Sequence, residues 1–349
     1  MTRASGPIAS VGNADAHTGA RAGGNAGGTA AAGTAASAGA ASAATSTTST
    51  TSTTGSVLGA ALAGPLVSTQ WLADHLGSDG LVILDATVVP STRPDGSPVS
   101  ISGLDQYLVD GHIPGAVFAE LLDVFSDPRG AYPFTRPNAA AFEAAAESVG
   151  VGSDTTVVVY DASVGQWASR LWWLFRAFGH VNVAVLDGGA VKWRAEDRPL
   201  ERGHVEPRAT DGFLGEERPG AWASKEDVAA VLDGTADATL VCGLPPKEFA
   251  GETGNRRRLG RIPGSVSAPA ARLVSRETNA LLPVAELRRT FADVLASDAR
   301  IVTYCAAGIA AAADALALAV LGRDDVSLYD GSLNEWSADP GAPLETEAA

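Results

Sequence analysis

Cysteine is scarce in this chain. Two residues in 349, Cys242 and Cys305, are too few for a disulfide framework or a Cys-rich metal site. Histidine is scarce as well. His17, His75, His112, His180 and His204 are scattered without ligand spacing, so neither a structural metal nor a cofactor is expected. Long apolar runs are missing, and none approaches the roughly twenty residues that a membrane-crossing helix needs. Basic residues fall short of acidic ones, 25 against 40, for a formal net charge of −15. That balance argues against nucleic acid as a partner, and a membrane partner is not expected either. An anionic substrate must then be drawn in by a local site.

Bulky apolar residues are also sparse at the start. Residues 1–64 are almost wholly Ala, Gly, Ser and Thr, running through AAGTAASAGAASAATSTTSTTSTTG. Such a segment buries too little surface to offset its ordering entropy, so a disordered low-complexity tail is expected. Its only apolar run, Val57 to Val67, has no basic residues just before it, and a cytoplasmic location is expected. From Leu66 onward the texture alternates between strand and helix. Leu81–Leu84, Thr156–Tyr160 and Val183–Leu186 read as strands ending at Asp85, Asp161 and Asp187; Thr69–Leu76 (capped by Ser68), Phe142–Val149 and Trp167–Phe178 read as helices. Strands alternating with helices predict an α/β fold with a parallel sheet flanked by helices.

The pattern then repeats. GHIPGAV at 111–117 recurs as GRIPGSV at 260–266, VVVYD at 157–161 as IVTYC at 301–305, and VAVLDGGAVKW at 183–193 as VSLYDGSLNEW at 326–336. Three matches in one order at nearly one offset indicate a tandem duplication. The division expected is a first domain at 65–205, a linker at 206–221 and a second domain at 222–345. The Ile-Pro-Gly step suits a type II turn, since proline fixes φ and glycine accepts the positive φ that follows.

The second copy carries the chemistry. In IVTYCAAGIAAAADALALAVLG, residues 301–322, a β-branched and aromatic strand runs into a small-residue turn and then an Ala/Leu helix. Cys305 sits at the joint. A helix N-terminus there offers unpaired N–H groups and partial positive charge, which favour a thiolate and an anion beside it. A buried core thiol is the plainer alternative. The first copy has Asp161 at the matching place, expected to cap a helix rather than to act as nucleophile. One copy is therefore read as active and the other as scaffold. Gly308 is the loop residue expected to need an uncommon backbone angle.

At these residues the chain resembles the two-domain sulfurtransferases of the rhodanese family, which act on thiosulfate or 3-mercaptopyruvate. The marks are the paired IPG turns, RLWWLFRAFGH at 170–180, the LDGG and YDGS strand ends, and a cysteine loop in the second copy alone. The resemblance implies tandem rhodanese-like domains, with Cys305 taking a sulfur from a small anionic donor as a persulfide. That sulfur would pass to cyanide, a small thiol or a protein dithiol. The backbone of Ala306, Ala307, Gly308, Ile309 and Ala310 would cradle the terminal sulfur. Related cysteine phosphatases need an arginine six residues after the cysteine; position 311 is Ala, which disfavours phosphatase chemistry.

The donor site departs from the family. In VCGLPPKEFAGE at 241–252, Leu244 and Ala250 stand where two donor-binding arginines are usual, and Cys242 stands in place of an aspartate. Nearby cations are Lys247, Arg256, Arg257, Arg258 and Arg261. Arg261, beside the IPG turn, and Lys247 are the substrate-binding candidates. Cys242 reads as a small core residue, with a resolving thiol as the sharper alternative. Trp172, Trp173, Phe175, Trp193 and Trp336 read as packing residues. The lost arginines also admit a second reading, a catalytically weak rhodanese-like binding or regulatory module.

Overall fold

The structure, a computed structural model, describes residues 62–347. The tail expected at 1–64 therefore lies, up to residue 61, outside the described residues. The first half contains β1 (Leu66–Val67), α1 (Thr69–His75), β2 (Leu81–Asp85), β3 (Val88–Thr92), β4 (Pro98–Ser102), α2 (Leu104–Val109), β5 (Ala116–Phe118), α3 (Ala139–Ser148), β6 (Thr156–Tyr160), α4 (Gln166–Ala177), β7 (Val183–Leu186) and α5 (Gly189–Ala195). The second contains β8 (Trp222–Ala223), α6 (Lys225–Leu232), β9 (Ala238–Cys242), α7 (Pro246–Phe249), β10 (Val266–Ser267), α8 (Val284–Thr290), α9 (Ala292–Leu295), β11 (Arg300–Tyr304), α10 (Ala310–Val320), β12 (Val326–Tyr329) and α11 (Ser332–Trp336).

Two five-stranded parallel sheets result, ordered β1-β7-β6-β2-β5 and β10-β9-β11-β12-β8. Matching β6 with β11 makes these the same order read in opposite directions, so the sequence repeat is a repeat of topology. In both sheets the strand carrying the Tyr-Asp or Tyr-Cys step is central. All strand C-termini in a parallel sheet share one edge, and that is where such folds place ligands.

The repeat extends to side-chain detail. The Tyr160 hydroxyl accepts the N–H of Ile113 at 3.2 Å, and the Tyr304 hydroxyl accepts that of Ile262 at 3.0 Å. Each IPG turn is thus pinned to the tyrosine that precedes the reactive position. Gly115 and Gly264 take φ of +75° and +74°, as a type II turn demands. The hairpin of β3 and β4, which pairs antiparallel, is absent from the sequence reading. Its strands hold Pro90 and Pro98 and partly exposed alternation, which blur the strand signal.

Along β6 the side chains alternate between faces. Val157 and Val159 join the larger apolar cluster, and Val158 and Tyr160 the smaller one on the other face. The larger cluster is continuous from the first sheet to the second. Its middle is the contact of α4 with α10, which buries nearly every residue of α4, Arg170 included. The Ala-rich α10 allows the close approach.

Candidate active site

The first copy shows what its strand-to-helix loop is built to hold. Asp161 follows β6 and is fully buried. One carboxylate oxygen accepts the N–H groups of Ser163 (2.7 Å) and Gly165 (3.1 Å), and the other accepts those of Trp167 (3.0 Å) and Ala168 (2.9 Å). Gly165 is left-handed, φ +80°, and turns the backbone so that these donors converge. The capping role expected of Asp161 is therefore present, and it extends to a complete anion cradle.

The second copy repeats the strand, the left-handed glycine and the helix, with a cysteine in place of the aspartate. Cys305 follows β11 with 2% of its surface exposed, Gly308 takes φ +76° as expected, and α10 begins at Ala310. Among the described residues, the N–H groups of Ala306 through Ala310 meet no protein acceptor. The Cys305 backbone is fixed from α11. Its N–H donates to Ser332 Oγ at 3.2 Å, and its carbonyl accepts the N–H of Leu333 at 3.0 Å. Cys305 thus stands at the same strand-to-helix joint as the carboxylate of the first copy.

Each domain covers the loop of the other. Asn279 donates through its side-chain amide to the carbonyl of Ser163, and the N–H of Leu281 donates to Asp187 Oδ1 at 2.7 Å. In the reciprocal contact Arg170 of α4 donates to the Phe134 carbonyl (2.8 Å) and Asp330 Oδ1 (2.6 Å), and the Arg136 N–H donates to Asp330 Oδ2 at 2.9 Å. A Cβ on Gly308 would come within 3.1 Å of Arg170 Nη1 and 3.2 Å of the Asp330 carbonyl. The Cys305 loop is thus backed by a buried guanidinium from the first domain. Sequence reasoning missed Arg170; its signal was a lone cation inside an otherwise apolar helical face.

The cations expected to bind substrate are placed differently from one another. Arg261 donates to Glu345 Oε1 (2.7 Å) and the Phe249 carbonyl (3.3 Å) and lies over the Phe249 ring, and none of these partners belongs to the Cys305 loop. Arg256 pairs with Glu248, and Arg258 donates to the carbonyls of Asp339 and Ala342, fastening the C-terminal segment. Lys247 is exposed. It lines a cavity of about 300 Å³ with Ala250 and Ser267, and Ser267 is in register with Cys242 on the neighbouring strand. That cavity lies on the same sheet edge as Cys305. Leu244 and Ala250 are buried and apolar.

Two buried groups complete the surroundings. Burial pushes the Cys242 thiol up to about 12, with Cys305 nearby adding to the rise, so this thiol stays protonated at neutral pH and fits the core reading. Asp314, in the second turn of α10, is fully buried with no hydrogen bond to either carboxylate oxygen among the described residues. It packs against the backbone of Gly243, and burial raises its pKa well above the ordinary value. A single acid inside an Ala/Leu helix was its sequence signal.

The Rhodanese-like domain family matches residues 68–196 and 227–339. The chain is similar to the 3-mercaptopyruvate sulfurtransferase of Escherichia coli (strain K12), 34% identical over 80% of this chain and 97% of that protein. It is also similar to the mitochondrial thiosulfate/3-mercaptopyruvate sulfurtransferase 1 of Arabidopsis thaliana, 32% identical over 81% of this chain and 78% of that one. Among solved structures, the crystal structure of SseA from Escherichia coli, a 3-mercaptopyruvate sulfotransferase, superposes with a TM-score of 0.67 at 33% identity, covering 77% of this chain and 98% of SseA.

Proposed function

The chain belongs to the rhodanese family, and from that premise we propose that it moves a sulfane sulfur from thiosulfate or 3-mercaptopyruvate to a thiophilic acceptor through a persulfide on Cys305. The observation that carries the assignment to Cys305 is the Asp161 carboxylate, held by four N–H groups in the first copy. Among the described residues, the N–H groups of the matching loop in the second copy, beside a cysteine, have no protein acceptor. Those donors favour the thiolate before transfer and the terminal sulfur after it.

The chemistry balances in two steps. The Cys305 thiolate attacks the outer sulfur of the donor, whose S–S or C–S bond breaks to release sulfite or, after protonation, pyruvate. The acceptor then attacks the terminal sulfur of the persulfide, and the S–S bond electrons return to Cys305 as thiolate. With Leu244 and Ala250 apolar, Lys247 is the exposed cation proposed to meet the donor's anionic end at the sheet edge. Arg261, paired with Glu345, is the proposed second cation, released only by breaking that pair. The proposed division of labour is a scaffold domain at 65–205, a linker at 206–221 and a catalytic domain at 222–345. Among the described residues no helix is long and apolar enough to cross a membrane, and a cytoplasmic location is proposed.

Thiocyanate formation from cyanide, measured separately with thiosulfate and 3-mercaptopyruvate, tests the reading. Turnover is expected with the native protein, to be lost in Cys305→Ser and kept in Cys242→Ser. No turnover with either donor by the folded, reduced protein would favour the binding-module reading instead.

A further inference from the structure

The two copies differ at the strand end that closes the site. The first reads Asp187-Gly188-Gly189 and the second Asp330-Gly331-Ser332. Gly189 has φ +53° and Ser332 has φ +47°, so the duplicated backbone demands a left-handed residue at this place. Glycine meets that demand without strain, and a residue bearing Cβ does not. The scaffold copy has the relaxed residue, and the copy with the cysteine has the strained one. Strain of this kind persists only where the surroundings hold it, and it gathers at functional sites.

What the serine adds is a hydroxyl. Ser332 is fully buried. Its O–H donates to the Tyr329 carbonyl at 2.7 Å, which leaves the oxygen lone pairs turned toward Cys305, whose N–H they accept at 3.2 Å. The next residue, Leu333, returns a hydrogen bond to the Cys305 carbonyl. Both backbone polar groups of Cys305 are therefore gripped by consecutive residues of α11. In the first copy only the second grip has a counterpart, the Ala190 N–H on the Asp161 carbonyl at 3.0 Å. A Cβ on Gly189 would come within 2.5 Å of that carbonyl oxygen, so the scaffold loop has no room for the serine.

We propose that Ser332 is a positioning residue for sulfur transfer, holding the Cys305 backbone through its N–H so that the sulfur is aimed into the ring of loop donors, at the cost of a strained backbone that the scaffold copy avoids. The proposal deepens the sulfur-carrier reading and rests on it for its kinetic consequences. It separates two properties that a merely structural serine would keep together. Fold stability at this position follows backbone strain, whereas nucleophile placement follows the hydroxyl.

The test compares Ser332→Gly with Ser332→Ala in the full chain. Glycine removes both hydroxyl and strain; alanine removes the hydroxyl and keeps the strain. The glycine variant is expected to have the higher Tm of the two. Both are expected to lose about tenfold or more in kcat/KM for thiocyanate formation, and by the same factor. Both are also expected to move the pH profile of iodoacetamide alkylation at Cys305, followed on the isolated peptide, toward higher pH. If Ser332→Gly keeps native kcat/KM and a native alkylation profile, the proposal is wrong and the serine only fills space. If either variant fails to fold, the other decides. If the native protein turns over neither donor, the sulfur-carrier reading fails by itself, and the alkylation profile still decides whether Ser332 positions Cys305.

Discussion

Replacing Asp161 measures how strongly the strand-to-helix loop holds an anion. The carboxylate is fully buried and accepts four backbone N–H groups between 2.7 and 3.1 Å, two of them from the opening turn of α4. A hydrogen bond to a charged group contributes about 1.5–3 kcal/mol, and bonds sharing one carboxylate do not add fully. Asp161→Ala leaves four donors without an acceptor, two of them buried and two half-buried, and should cost about 4 kcal/mol. In a protein of this size that lowers Tm by roughly 7 °C. Asp161→Asn keeps one acceptor oxygen but turns an NH₂ group toward two donors, and should recover less than half of the loss. Urea unfolding followed by tryptophan fluorescence, which reports Trp167 and Trp172 on α4, reads both variants. A loss below about 1 kcal/mol for Asp161→Ala would refute the cradle, and with it the argument that the matching loop holds a persulfide.

Two further predictions follow from the geometry around Cys305. Gly308→Ala places a methyl group within 3.1 Å of Arg170 Nη1 at a left-handed φ; it should lower stability by about 1–2 kcal/mol and kcat/KM by at least about tenfold, and native kinetics from this variant would remove Gly308 from the cradle. Burial raises the Asp314 carboxyl well above 3.8, so the folded protein holds this proton more tightly than the unfolded chain. The stability tied to that proton is complete below the unfolded value and is lost as pH rises from there through the folded one. Asp314→Asn cannot titrate and should flatten that fall as pH rises above the ordinary carboxyl range; urea midpoints whose pH dependence is the same in the variant as in the native protein would refute a contribution of this proton to stability.

Much of the site is legible in the sequence because the chain is duplicated. The repeat sets Cys305 against Asp161, and local rules then supply the strand, the turn, the left-handed Gly308 and the helix behind it. The remainder depends on contacts between residues far apart in sequence. Arg170 acts on the loop from the other domain, where α4 packs on α10, and no periodicity announces that partner. Arg256, Arg258 and Arg261 look like a free basic cluster until Glu248 takes up Arg256 and the C-terminal segment folds back to take the hydrogen bonds of Arg258 and Arg261. Ser332 was visible as one of the two differences between YDGS and LDGG, with Tyr329 the other, but its backbone strain and its bond to Cys305 are tertiary facts. The β3–β4 hairpin was hidden by its prolines and half-exposed strands.

The central claim is that Cys305 carries the sulfur. The direct measurement is the mass of the Cys305 and Cys242 peptides after the native protein has met the donor and been freed of excess. One added sulfur atom is expected on Cys305 and none on Cys242, and cyanide should remove it with one thiocyanate released per protein. Sulfur found on Cys242, or thiocyanate formed while the Cys305 peptide never gains mass, would contradict it.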